Sequence, residues 1–162
     1  MSRQPVNGGL SEHSMQSTVI AWAWLQAPSL LALATLFAIP NGGRRAQATA
    51  NALKREGVRP GVPDLQLPVP AAGYAGLFIE MKTMDGHAGP TQRAWHTTLR
   101  ALGYRVEVCR TIESACKLLR DHALAWEAES TGEARAALLE LWTDFRSTKG
   151  KRPGVTGRSV PR

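Results

Sequence analysis

The stretch Gly76-Leu77-Phe78-Ile79-Glu80-Met81-Lys82-Thr83 constrains the fold more than any other part of the chain. Leu77, Ile79 and Met81 alternate with Phe78, Glu80 and Lys82, the two-residue period of a pleated strand. A strand that turns Leu77, Ile79 and Met81 to a core must set Glu80 and Lys82 side by side on its other face. Upstream, Gly61-Val62-Pro63-Asp64-Leu65-Gln66-Leu67-Pro68 reads as a turn feeding a second short strand. Leu65, Leu67 and Val69 are expected to face the core there, with Pro68 and Pro70 stopping the strand. The link over residues 71–76 suits two adjacent antiparallel strands. Their pairing would bring the Asp64 and Glu80 carboxylates and the Lys82 ammonium to one end of a sheet. Hard divalent cations take oxygen ligands of this kind. A lysine beside such a cation can orient or deprotonate a water, so the set could cleave a phosphodiester.

Around this pair of strands the chain reads as alternating helices and strands. Ser11 is a credible N-cap that puts Glu12 in the first turn of a helix ending near Pro28, with Met15, Val19 and Trp22 along one side. Residues 36–39 read as a short buried strand entering Pro40-Asn41-Gly42-Gly43, a glycine-rich turn. Arg44 and Arg45 follow it, either as solvated loop charges or as phosphate contacts. Residues 46–56 read as a helix closed by Gly57, with Lys54, Arg55 and Arg59 clustered near its end. His87, in the polar turn after Lys82, reads as an exposed loop residue. Pro90 opens a helix with Trp95, Leu99 and Leu102 as its buried stripe and Gln92 at its start. Gly103 ends that helix, and residues 104–110 form a strand around Val106 and Val108. Thr111 caps a further helix that buries Ala115, Leu118, Leu119 and Ala125.

Ser130-Thr131-Gly132-Glu133 resembles a capping box. It would start a last helix whose stripe is Ala134, Ala137, Leu138, Leu141, Trp142 and Phe145. That wide face is expected to cover either this domain or a second copy.

Composition sets the remaining bounds. The 162 residues suffice for one domain with a core. Net charge is +7, and Arg146, Lys149, Lys151, Arg152, Arg158 and Arg162, with no acid among them, account for all but about one unit of it. The basicity therefore belongs to a C-terminal tail, expected to be disordered and to add salt-sensitive affinity for nucleic acid. Cys109 and Cys116 lack zinc-like histidine spacing and read as buried or half-buried thiols in a reducing cytoplasm. Residues 22–39 are apolar, but Gln26, Pro28 and Thr35 interrupt them, and they fall short of the roughly 20 residues of a membrane span. A core helix followed by a buried strand is the expectation.

The order Pro-Asp, gap, Glu-x-Lys resembles the PD-(D/E)XK nuclease superfamily. Ile39-Pro40-Asn41-Gly42-Gly43, Lys54-Arg55-Glu56-Gly57, Pro60-Gly61-Val62-Pro63-Asp64, Phe78-Ile79-Glu80-Met81-Lys82, Gln92-Arg93-Ala94-Trp95 and Gly103-Tyr104-Arg105-Val106 follow in one order. Together they resemble its VRR-NUC branch, the virus-type replication-repair nucleases. The resemblance implies an α/β fold, a restriction-endonuclease-like α/β/α core with a mixed central sheet, to which this chain adds a C-terminal helix and basic tail. The expected divisions are a loose N-terminus over 1–10, the nuclease domain over 11–128, the helix over 129–146 and the tail over 147–162. Asp64 and Glu80 would hold Mg²⁺ or Mn²⁺, with the Met81 main-chain carbonyl and Glu12 as further ligands. Glu12 otherwise reads as a helix-capping charge in solvent. Lys82 would orient the attacking water, with Gln92 as its helper. DNA would lie along Arg44, Arg45, Lys54, Arg59, Lys149, Lys151 and Arg152. Small members of the family imply a homodimer that cuts branched DNA such as four-way junctions, in the cytoplasm of a bacterial or phage-infected cell, without a membrane. The alternatives are a flap or duplex nuclease, or a DNA-binding accessory protein on the same scaffold.

Overall fold

A computed structural model describes residues 9–40 and 47–147. Helix α1, Glu12–Gln26, starts where the Ser11 hydroxyl accepts the Ser14 N–H at 3.1 Å, and it ends before Pro28. After it come a 3₁₀ turn over Leu31–Thr35, strand β1 over Phe37–Ala38 and helix α2 over Gln47–Arg55. Strands β2, Leu65–Leu67, and β3, Leu77–Met81, are followed by helix α3 over Pro90–Ala101. Strand β4, Arg105–Cys109, then leads to helices α4, Ile112–Glu129, and α5, Gly132–Ser147.

The strands form one mixed sheet in the order β1-β2-β3-β4. β2 pairs antiparallel with β3, placing Leu65 opposite Ile79, and β3 pairs parallel with β4 through the α3 crossover. β3 is thus central, and all five of its residues are buried. Leu77, Ile79 and Met81 join Leu65, Leu67 and Cys109 in the main core, under α1, the 3₁₀ turn, α4 and α5. Phe78 faces the other way, into a smaller core with Leu99 of α3 and Val106 of β4. Helices on both faces bury the strand twice, so its polar members are enclosed as well as its apolar ones.

Several expectations are corrected. The strand at residues 36–39 is not buried: β1 has two residues, lies at the sheet's edge, and leaves Phe37 45 % exposed. The burial went instead to Ala32, Leu33 and Ala34 in the preceding 3₁₀ turn. Leu102 lies on the surface because α3 ends at Ala101 and Gly103 turns the chain at φ +88°. Val108 is exposed, on the last strand of the sheet. Ala125 is only half-buried. Thr131, not Ser130, caps α5, accepting the Ala134 N–H at 3.2 Å, while the Ser130 hydroxyl accepts from Arg135.

Of the stripe on α5, Trp142 is buried, and its ring meets Trp24 of α1 edge-on at 4.6 Å. Ala134 and Leu138 are half-buried, whereas Ala137, Leu141 and Phe145 stay exposed. α5 therefore packs on its own chain through Trp142. Trp142→Ala is expected to cost about 3 kcal/mol by emptying that site, a drop of roughly 10 °C in a thermal melt. A shift under about 2 °C would place α5 outside the cooperative unit. Both cysteines are free, and burial raises the pKa of each thiol, that of Cys116 to about 11. No helix among the described residues is long and apolar enough to cross a membrane.

Candidate active site

The antiparallel register that buries Leu65 against Ile79 carries Asp64, one residue before β2, to the C-terminal end of β3. There its Oδ2 accepts the Met81 N–H at 2.8 Å, so main chain rather than side chain holds the carboxylate in place. Glu80 is fully buried beside it. Its Oε1 accepts from the Lys82 ammonium at 2.6 Å and from the Gln92 side-chain amide. Gln92 reaches it because it sits in the first turn of α3. Its own Oε1 takes the Gly89 N–H at 2.9 Å, the reciprocal half of a capping box, which ties the side chain to the start of α3. Glu12, in the first turn of α1, approaches from the other side, with Oε2 3.5 Å from Lys82 Nζ and Oε1 3.4 Å from the Thr83 N–H.

These groups open on a cleft of about 270 Å³ lined by Glu12, Gly61, Val62, Asp64, Glu80, Lys82, Gly89, Pro90, Thr91 and Gln92. Gly61, at φ +83°, lies against α3, where a Cβ would come within 2.8 Å of the Thr91 methyl. A glycine is required there on both counts.

The charges are strongly perturbed. Burial, then the charge of Glu80, pushes Asp64 up to about 6, against the lowering pull of the Met81 N–H and Lys82. Burial likewise raises Glu80 above the ordinary carboxylate range, against the hydrogen bond from Lys82. Burial acts to lower Lys82, but its hydrogen bond and charge pairing with Glu80, helped by Glu12 and Asp64, outweigh it and raise its pKa. Lys82 is therefore an ammonium at neutral pH, suited to donate hydrogen bonds and to balance negative charge rather than to take up a proton.

Glu80 Oε2 is buried without a hydrogen-bond partner among the described residues. Nε2 of His96 lies 3.7 Å from it, itself buried and without a hydrogen-bond partner among the described residues. Burial and the Arg100 charge lower the His96 pKa, so the ring is neutral and the contact is too long for a hydrogen bond. His96 was not anticipated from the sequence. The signal was available, since it follows Gln92 by four residues and so shares its helix face.

Asp64, Glu80, Lys82 and Gln92 thus come together, with Glu12 at the rim and the Met81 main chain between the carboxylates. Among the described residues, no three His, Cys, Asp or Glu side chains are drawn into a metal cage. Lys54 and Arg59 are exposed, and neither lines the cleft, though Arg59 lies two residues from Gly61. His87 is exposed. Arg44, Arg45, Lys149, Lys151 and Arg152 lie outside the described residues.

A family model described as the VRR-NUC domain matches residues 10–113. Among solved structures, a chain described as a VRR_NUC domain protein is similar, with a TM-score of 0.59 and 26% identity. That likeness covers 72% of this chain and 91% of the other. No curated protein matches the sequence.

Proposed function

The chain belongs to the VRR-NUC domain family and has its nuclease-type domain, and from that premise we propose that it is a metal-dependent endodeoxyribonuclease. The observation that carries the reading is the convergence of Asp64, Glu80, Lys82 and Gln92 on one cleft, with a buried oxygen of Glu80 left unpartnered. The donors fit Mg²⁺ or Mn²⁺: hard carboxylate oxygens from Asp64 and Glu80, with Glu12 and the Met81 carbonyl as the nearest additions. Burial has made both carboxylates costly to ionise alone, a cost a divalent cation would offset. When bound, the ion would supply an acidified water and neutralise the leaving oxygen.

The chain's own residues supply the rest. Gln92 and Lys82 together hold Glu80 Oε1, which fixes the carboxylate's orientation. The Lys82 ammonium points N–H donors into the cleft, where they orient the attacking water and balance charge growing on phosphorus. A restriction-endonuclease-like core is supported by a central strand, β3, that carries the acid, with the lysine directly after it, between two helical layers.

The substrate in this reading is branched DNA such as a four-way junction, cut by a homodimer, as the motif resemblance implies. Support for a second copy comes from exposed apolar side chains on α5, Leu139, Leu141 and Phe145. Lys54 and Arg59, with the basic residues outside the described segments, would add phosphate contacts. The setting would be the cytoplasm of a bacterial or phage-infected cell.

The test is digestion of an end-labelled four-way junction and a matching linear duplex with Mg²⁺ or Mn²⁺. Paired nicks in the junction alone are expected. Activity should rise as pH passes about 6, because the proton on Asp64 competes with the metal. Equal cutting of both DNAs would retain the nuclease and discard branch selectivity. Binding without cutting would favour the accessory-protein alternative.

A further inference from the structure

The Lys82 ammonium is held from below by Glu80, but the chain leaves the sheet immediately after it. Residues 83–86 form a turn, closed by the Gly86 N–H on the Thr83 carbonyl at 3.1 Å. The turn buries little of its own surface: Thr83, Met84 and Asp85 are exposed, Met84 by 69 %. Hydrophobic packing therefore does little to fix its position.

Two contacts make the turn part of the site nonetheless. Its Thr83 N–H reaches Glu12 Oε1 at 3.4 Å. Its Gly86 lies so close that a Cβ there would sit 3.3 Å from both Glu12 Oε1 and Lys82 Cδ, and 2.9 Å from the Thr83 hydroxyl. The inner side of the turn is thus a wall against which the Lys82 side chain and Glu12 rest.

The outer side is held by one residue. The carbonyls of Thr83, Met84 and Gly86 all point at Nη1 of Arg110, at 2.6, 3.0 and 2.7 Å. Arg110 directly follows Cys109, whose carbonyl takes the Lys82 N–H at 2.9 Å. The guanidinium therefore leaves the sheet level with Lys82. A permanently charged donor shared by several carbonyls is a strong, short-range tether.

We infer that Arg110 is a positioning residue for the reaction: by gathering the carbonyls of residues 83–86 it presses the turn against Lys82 and Glu12 and sets where the ammonium points. This rests on the nuclease reading above. Arg110 touches neither the carboxylates nor the cleft, so its loss should largely spare DNA binding and a metal held by Asp64 and Glu80, and slow mainly the step that needs Lys82 in place. Displacing a catalytic group by about 1 Å can cost on the order of a hundredfold.

The experiment compares wild type with Arg110→Ala, Arg110→Lys and Gly86→Ala in three measurements: amide hydrogen exchange, Mn²⁺ binding by calorimetry, and junction cleavage. Arg110→Ala should speed exchange in peptides covering residues 83–89 and leave those covering β3 unchanged. It should lower kcat by roughly ten- to a hundredfold, with KM and Mn²⁺ affinity within about threefold. Arg110→Lys, which restores a cation with three donors, should recover part of both the protection and kcat. Gly86→Ala pushes the same wall from within and should lower kcat while the turn stays protected.

Unchanged exchange in Arg110→Ala would overturn the inference whether or not the protein cuts DNA. So would a loosened turn with full kcat, or Mn²⁺ affinity and kcat falling together with no rescue by lysine. A wild type that neither binds Mn²⁺ nor cleaves would instead fell the nuclease reading, and the catalytic part of this inference with it.

Discussion

Asp64→Asn is expected to slow cleavage about a thousandfold while leaving the protein at least as heat-stable as the wild type. The two effects have one cause. Burial and the neighbouring Glu80 push the Asp64 pKa up to about 6, so at neutral pH the fold carries an anion that it would hold more easily as a neutral group. The amide keeps the shape, and its oxygen can still accept the Met81 N–H that now binds Oδ2. What is lost is a charged oxygen for the metal, and with it about a thousandfold in rate, the upper end of the cost of losing one electrostatic group from an active site. Thermal melts and junction cleavage on the same preparation check both halves. The linkage has a definite sign. Asp64's folded pKa lies above its ordinary 3.8, so its contribution to stability is full below about pH 4 and is lost as pH rises through about 6. Asp64→Asn should flatten that part of the wild-type profile. A variant that melts well below wild type at pH 7 would mean that Asp64 is structural rather than strained for function.

Lys82→Met is expected to do the opposite to stability. Glu80 is fully buried, and the Lys82 ammonium at 2.6 Å is its counter-charge. Removing one partner of a buried pair leaves the other uncompensated, at a cost of about 3 kcal/mol, or roughly 10 °C in melting temperature. The deficit should depend on pH. Burial already raises Glu80 above its ordinary value, and without Lys82 it rises further. A carboxyl raised in the folded state stabilises most below its unfolded pKa and loses that contribution as pH climbs through the folded one. The variant should therefore approach wild-type stability near about pH 4 and fall furthest behind near about pH 8. Cleavage should be absent throughout. A pH-independent deficit would indicate lost packing of the lysine stem instead of an unpaired acid.

The parts of this site that follow a local period were legible in the sequence. The alternation through β3 set Glu80 and Lys82 on one face, and the turn lengths on either side of β2 brought Asp64 to them. Gln92 could be placed because Pro90 marks a helix start. Residues that enter through tertiary register were not legible. Spacing puts His96 on the helix face of Gln92, but only β3 laid beneath α3 brings it to Glu80, and only β4 set level with Lys82 brings Arg110 to the site. Phe78 shows the same limit in the core: alternation assigns it to the Glu80 face, but only the layer of α3 makes that face a second interior. The strand expected at residues 36–39 is present but exposed, because an apolar run reports burial without reporting shape. Ala32, Leu33 and Ala34 satisfied it in a 3₁₀ turn.

The order of the sheet also bears on how the molecule behaves among its copies. An open sheet has two edges whose unpaired backbone groups can template another chain. Here one edge is β1, only two residues long, too short to seed an extended ladder. The other is β4, where Arg105 and Glu107 pair at 3.2 Å on the half-buried face of the strand. An incoming strand would have to accommodate both charges and disturb their pairing. With a two-residue strand at one margin and a charged pair at the other, the sheet formed by the described residues offers a poor template for a further strand.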